Sequence, residues 1–209
     1  MNVWTDMMRL KIIGAALLVI LLQACAYKGQ IQSVSGAAEV MPTRHIDADA
    51  AVRIDPELSE ISKKVSIGFV CGAHNYTIAP GSAVSESIMR TLDPAFRSIS
   101  RVETREERPG AYFLDFKLDE FSPRLKFNPG FWMATPESTA EISIRVSAFR
   151  PDGTPAIRTT ARGQGHHEDG AGSCDKGMDI VEEATREAVQ RAMEDLAQKL
   201  INSKALIED

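Results

Sequence analysis

Two runs of two-residue alternation constrain the fold of this chain more than any other feature. In the first, Tyr112, Leu114, Phe116 and Leu118 alternate with Phe113, Asp115, Lys117 and Asp119. In the second, Ala140, Ile142, Ile144, Val146 and Ala148 alternate with Glu141, Ser143, Arg145 and Ser147. Successive strand side chains point to opposite faces, so each run predicts a strand with one buried and one wet face. A sheet built from such strands needs a second layer over its apolar side. The C-terminal stretch supplies one. Val181, Ala184, Ala188, Ala192, Leu196 and Leu200 recur every three or four residues there, with Glu182, Glu183, Arg186, Glu187, Arg191, Glu194 and Lys199 on the other faces. That is the pattern of an amphipathic helix.

Residues 64–71 place Val65, Ile67 and Phe69 on one side and predict a further strand. After a loop over 74–81, Ser82 is placed to cap a helix whose inner face is Val84, Ile88, Leu92 and Phe96, with Pro94 ending or kinking it. Residues 98–104 form a weaker strand candidate. Pro151-Asp152-Gly153-Thr154 is a turn, and 155–165 returns as a strand with Arg158, Thr160 and Arg162 on one face. The order β-α-β-β-β-α predicts an α+β two-layer sandwich. Its sheet is mainly antiparallel, with four to five strands and two helices on one face.

The N-terminus carries a different signal. Arg9 and Lys11 precede an uncharged apolar run, residues 12–22, followed by Gln23, Ala24 and Cys25. A basic start, a short apolar core and a small residue before a cut make a secretory leader, too short to span a bilayer comfortably. Starting the chain at Met8 rather than Met1 gives the cleaner basic leader, since Asp6 is then left out.

Leu22-Gln23-Ala24-Cys25 resembles the lipobox of bacterial lipoproteins. The resemblance implies a leader over residues 1–24, a diacylglyceryl thioether on Cys25, and acylation of the new amine. Two or more acyl chains suffice for stable membrane anchoring. By the sorting rule of that family, Ala26 in place of Asp implies the outer membrane of a Gram-negative host, facing the periplasm. Residues 25–60 lack clear periodicity and contain Gly29, Gly36, Pro42 and Pro56. They are expected to be a flexible tether with a short helical piece near Pro56, leaving 61–209 as a single domain.

Beyond Cys25 only Cys71 and Cys174 remain. An exported domain folds in an oxidising compartment, so these two are expected to form a disulfide. Two free thiols, or a metal site shared with His74, His166 or His167, are the alternatives. The order of elements over 64–203 resembles small lipoproteins that serve envelope assembly, such as the partner of the lipopolysaccharide translocon and the subunits of curli-type export. No motif accompanies that resemblance, so it assigns no residue.

Composition narrows the function by exclusion. With 24 Lys and Arg against 29 Asp and Glu, the chain has no cationic footprint for a phosphate backbone, and nucleic acid is not an expected partner. Ser82, Ser85 and Ser87 lack a nucleophile elbow and suit helix capping and a solvated face. Asp115 and Asp119 share a strand face, but Phe113 and Lys117 lie there too, which suits a solvated surface better than paired catalytic acids. Gly163-Gln164-Gly165 lacks the rest of a dinucleotide fingerprint and suits local backbone freedom. His166-His167-Glu168-Asp169 suggests metal ligands, yet adjacent strand residues face opposite ways, and a polar loop is the simpler reading.

The segment 121–136 packs Phe121, Leu125, Phe127, Phe131, Trp132 and Met133 among three prolines and a glycine, with Arg124 and Lys126 nearby. Its composition suits a contact surface formed by Phe127, Phe131, Trp132 and Met133, or a loop folded over the core. The expectation is a non-enzymatic, cofactor-free, lipid-anchored periplasmic binding or assembly accessory. Its partners are the membrane and an envelope protein, lipid or glycan. The rival is an envelope hydrolase or metal-dependent enzyme built on His166, His167 and Asp169.

Overall fold

The structure, a computed structural model, describes residues 26–34, 45–130, 134–170, 173–202 and 206. Its strands are β1 (Ala26–Gly29), β2 (Ile46–Ile54), β3 (Lys63–Lys64), β4 (Ser66–Ile67), β5 (Asn75–Ile78), β6 (Phe96–Arg101), β7 (Tyr112–Pro129), β8 (Ala134–Phe149) and β9 (Pro155–Glu168). The helices are α1 (Pro56–Ser59), α2 (Gly81–Leu92) and α3 (Gly177–Leu196). The principal sheet has the order β6-β2-β7-β8-β9, with β4 beside β7, and a smaller sheet has the order β1-β5-β3. Helices α2 and α3 share one core with the apolar face of the principal sheet. The architecture is the α+β sandwich expected from the alternation.

The long ladders β7–β8 and β8–β9 are antiparallel, as the sequence indicates. Their inner rows are Leu114, Phe116, Phe121 and Leu125 on β7, and Ala140, Ile142, Ile144, Val146 and Ala148 on β8, all buried. A register shift between Leu118 and Glu120 lets β7 keep an apolar inner row after Asp119 and Glu120. Pro123 and Pro129 lie within β7 and Pro136 within β8, so the expected irregular loop is largely a long hairpin.

Two strand expectations fail. Residues 46–54, assigned to the tether, form β2, which lies between β6 and β7 and is parallel to both. Ala50, Ala51 and Val52 are all buried because both faces of β2 are covered, and a strand covered on both sides loses the alternation that would reveal it. Likewise, residues 64–71 do not form one strand with Phe69 inside. They break into the two-residue strands β3 and β4, and Phe69 is fully exposed.

From β6 to β7 the chain crosses the outer face of β2. Val102 and Ala111 bury Ala51 there, with Phe113 beside them. The crossing is held by Asp49, whose carboxylate accepts hydrogen bonds from Arg97 (3.0 Å), Ser98 (2.8 Å) and Arg108 (3.3 Å). Led by the Arg97 hydrogen bond, these contacts lower the Asp49 pKa to about 2.

Helix α3 lies very close against β9. A Cβ added at Gly163 would overlap the carbonyl oxygen of Ala188, and one at Gly165 that of Ala184. These glycines let the helix backbone lie on the strand, opposite the small residues Ala184, Ala188 and Ala192. They serve close approach, and the local backbone freedom expected from the sequence is not their role. Helix α2 begins at Gly81 with no side-chain cap, so Ser82 does not cap it. Ser85 and Ser87 are buried rather than solvated, and their hydroxyls donate to the carbonyls of Gly81 (2.9 Å) and Ala83 (2.6 Å).

Candidate functional site

The start of β1, the loop that carries Cys71 and the Pro129–Ala134 end of the long hairpin gather at one end of the domain. Strand β1 starts at Ala26, the residue after Cys25, and pairs in parallel with β5 so that Ala26 lies opposite Asn75. Strand β5 follows the loop over 68–74 directly. On its other side β3 runs antiparallel to β5, and β4 then pairs with β7 at Arg124 and Leu125. The starts of β1 and β5, the end of β4 and the Pro129–Ala134 end of the β7–β8 ladder therefore share one pole.

The 68–74 loop is tightly held for its length. Gly72 N–H donates to the carbonyl of Phe69 (3.2 Å), His74 N–H to that of Cys71 (2.9 Å), and Gly68 N–H to that of Leu125 (3.3 Å). Cys71 has φ +62°, a left-handed conformation uncommon for such a residue. Its sulfur is bonded to that of Cys174 at the approach to α3, with the two Cα atoms 5.8 Å apart. The expected pair is thus joined, and the bond ties the loop to the start of the longest helix.

Behind the disulfide sits an aromatic cluster. Tyr27 stacks on the buried Tyr76 at 5.0 Å between ring centroids, and His74 lies 5.7 Å from Tyr27. Tyr76 donates its hydroxyl proton to the carbonyl of Cys174. The end of β1 rests on α3, where Gln30 N–H donates to the Glu182 carboxylate at 3.2 Å. Partial burial raises the Glu182 pKa. Residues 26–34 are therefore docked and do not tether: Val34 N–H also donates to Ser87 on α2 at 2.9 Å.

Of the residues singled out from the sequence, Cys25, Phe131, Trp132 and Met133 lie outside the described residues. Phe127 is buried, 3% exposed, and packs in the core; a contact role for it is corrected accordingly. Its strand position, two residues beyond Leu125 on the inner row, is the reason. On β9, His166 is in register with the outward Thr139 and His167 with the buried Ser138, so the two histidines take opposite faces. Among the described residues no group of three or more His, Cys, Asp and Glu is arranged to hold a metal ion.

The outer sheet face carries the polar rows. Arg145 pairs with Asp119, Lys117 with Asp115 (3.5 Å), and Arg53 with Asp115 (2.6 Å), so Asp115 and Asp119 sit in ion pairs with neighbouring cations. Arg158 and Arg162 continue this face opposite Ser147 and Ser143. The outer edge of β9 is occupied by side chains of α3 and of the helical turn Ala197–Ile201 that continues it. Arg162 N–H donates to Asp195 and His166 N–H to Glu187, both at 2.8 Å, while Lys199 donates to the carbonyl of Thr160 at 3.0 Å. These helix side chains cover backbone groups that would otherwise invite a further strand. The exposure of Phe69 and this edge capping were missed from sequence, because both depend on contacts between distant segments.

No described helix is long and apolar enough to cross a membrane. No known protein family matches the chain, and no curated protein matches it. Solved structures do resemble it in outline. One is a protein of the DUF330 family from Xanthomonas campestris, at 11% identity and TM-score 0.47, covering 82% of this chain and 92% of that one. A second is a minor lipoprotein from Acinetobacter baumannii, at 10% identity and TM-score 0.39, covering 78% of this chain and 93% of that one. A third is a neuraminyllactose-binding hemagglutinin homolog from Helicobacter pylori, at 12% identity and TM-score 0.40, covering 78% of this chain and 88% of that one.

Proposed function

We propose that this chain is a lipid-anchored accessory of the bacterial cell envelope, acylated on Cys25 and folded on the periplasmic side of the outer membrane. The observation that carries the reading is Leu22-Gln23-Ala24-Cys25 at the end of a basic–apolar leader. The bonded Cys71–Cys174 pair supports it, because such bonds form and persist in exported proteins. This reading gives the domain a role in binding or assembly rather than catalysis, and the opposite facing of the neighbouring His166 and His167 on β9 supports it. Phe131, Trp132 and Met133, between the ends of β7 and β8 in sequence, are the residues this reading assigns to a protein, lipid or glycan partner.

Metabolic labelling with an alkyne fatty acid tests the anchor. The wild-type protein takes up label and fractionates with outer membranes, and Cys25→Ser takes up none. A mature protein whose mass shows no acyl group sinks the reading. Zinc binding by the purified domain that is lost on replacing His166 and His167 would favour the enzyme instead.

A further inference from the structure

We infer that the pole bearing Phe69 lies against the bilayer, with the Phe69 ring seated among lipid headgroups beside the acyl anchor. The inference rests on acylation of Cys25 and goes beyond it by fixing the orientation of the domain. A lipidated residue usually hangs on a flexible stretch and leaves its domain free to tumble. Here the slack is missing. Ala26, the residue that follows Cys25 in sequence, already belongs to β1 and lies opposite Asn75. The described chain therefore begins, one residue after the acylation motif, in a paired strand at this pole.

Asn75 directly follows the loop that carries Phe69, and the Tyr27 and His74 rings bridge that loop to β1. Among the described residues, Phe69 is the one large hydrophobic side chain left fully exposed. It does not hang on a loose end. Its loop is closed by the Cys71–Cys174 bond and pinned to β7 through Gly68. A rigidly presented, water-exposed aromatic ring marks a contact surface, and aromatic rings favour the membrane interface. Charge of both signs is mixed at this pole. Lys126 lies opposite Glu137, and Glu137 opposite Glu168. The ring and the acyl chains, both apolar and both at one end, thus face the same phase.

The test places an indole at each end of the lipidated mature protein. F69W and, at the opposite pole, P151W are made in a W132F background; Trp4 leaves with the leader. Each protein is reconstituted in phosphatidylethanolamine–phosphatidylglycerol vesicles carrying brominated acyl chains. The F69W emission is expected to shift to the blue and lose intensity to the bromines, with no change for P151W. Unquenched F69W on protein that still floats with the vesicles overturns the orientation and leaves the anchor standing. Equal quenching of F69W and P151W also overturns it. Protein that neither floats nor carries acyl mass overturns the anchor, and this inference with it.

Discussion

The seam between α3 and β9 and the pole around β1 and β5 hold together by opposite means. At the seam, contact is achieved by removing side chains: Gly163 and Gly165 face Ala184, Ala188 and Ala192, and backbone meets backbone. Around β1 and β5 the pole is built on the small β1-β5-β3 sheet, with strands of two to four residues. It compensates with one covalent bond, one stacked tyrosine pair and a few backbone hydrogen bonds. Where a large sheet backs a helix, small residues suffice. Where there is little sheet, a cross-link does the holding, and an apolar ring is left free to face outward.

Adding volume at the seam is expected to have the largest effect. Gly163→Val forces a branched side chain into the Ala188 carbonyl, which cannot move without lifting α3. We expect a loss of about 3 kcal/mol or more, measured by urea unfolding. Gly68→Ala, with open space around it at the pole, should shift stability by no more than about 0.5 kcal/mol. A comparable loss for both would break the contrast. Next comes the cross-link. Cys71→Ser combined with Cys174→Ser should cost about 2–4 kcal/mol. Hydrogen exchange should speed up first in β5 and the 68–74 loop, with the seam protected until global unfolding.

A smaller effect is expected at the β9 edge. Glu187→Ala and Asp195→Ala each remove the acceptor of one edge N–H, at a cost of about 1 kcal/mol. Faster exchange confined to Arg162 and His166 amides would sharpen the picture, and unchanged exchange would refute the capping. The smallest effect is a slope. Asp49 has its pKa lowered to about 2, so its contribution is complete above its ordinary value of 3.8 and is lost as the pH falls from there toward 2. Asp49→Asn should flatten acid unfolding in that window and leave the curve above pH 5 parallel to wild type. Glu182 acts in the other direction. Its pKa is raised by partial burial, so its ionisation lowers stability as the pH rises through the carboxylate range, even though the Gln30 N–H bond favours the ionised form.

Legibility followed the exposure pattern of each element. Strands β7 and β8 and helix α3 show one face to water and one to the core, and their periodicity announced them. Strand β2 is covered on both faces at Ala50-Ala51-Val52, so that stretch carries no alternation to distinguish it from tether. Phe69 completed an alternation with Val65 and Ile67 and was placed inside, although only Val65 is fully buried. Phe127 sat among prolines and looked like loop, because the register shift that keeps it on an inner row cannot be seen in composition.

Sequence alone determined the α+β class, the amphipathic surfaces and the candidate acylation motif at Cys25, because each of these is a local pattern of residue chemistry. Tertiary structure alone decided that β2 is central, that the glycines of β9 admit a helix, and that Ala26 and Phe69 share a pole. Those outcomes depend on which distant segments become neighbours, and the physical reason is that burial is a property of the assembled layers rather than of any residue taken singly.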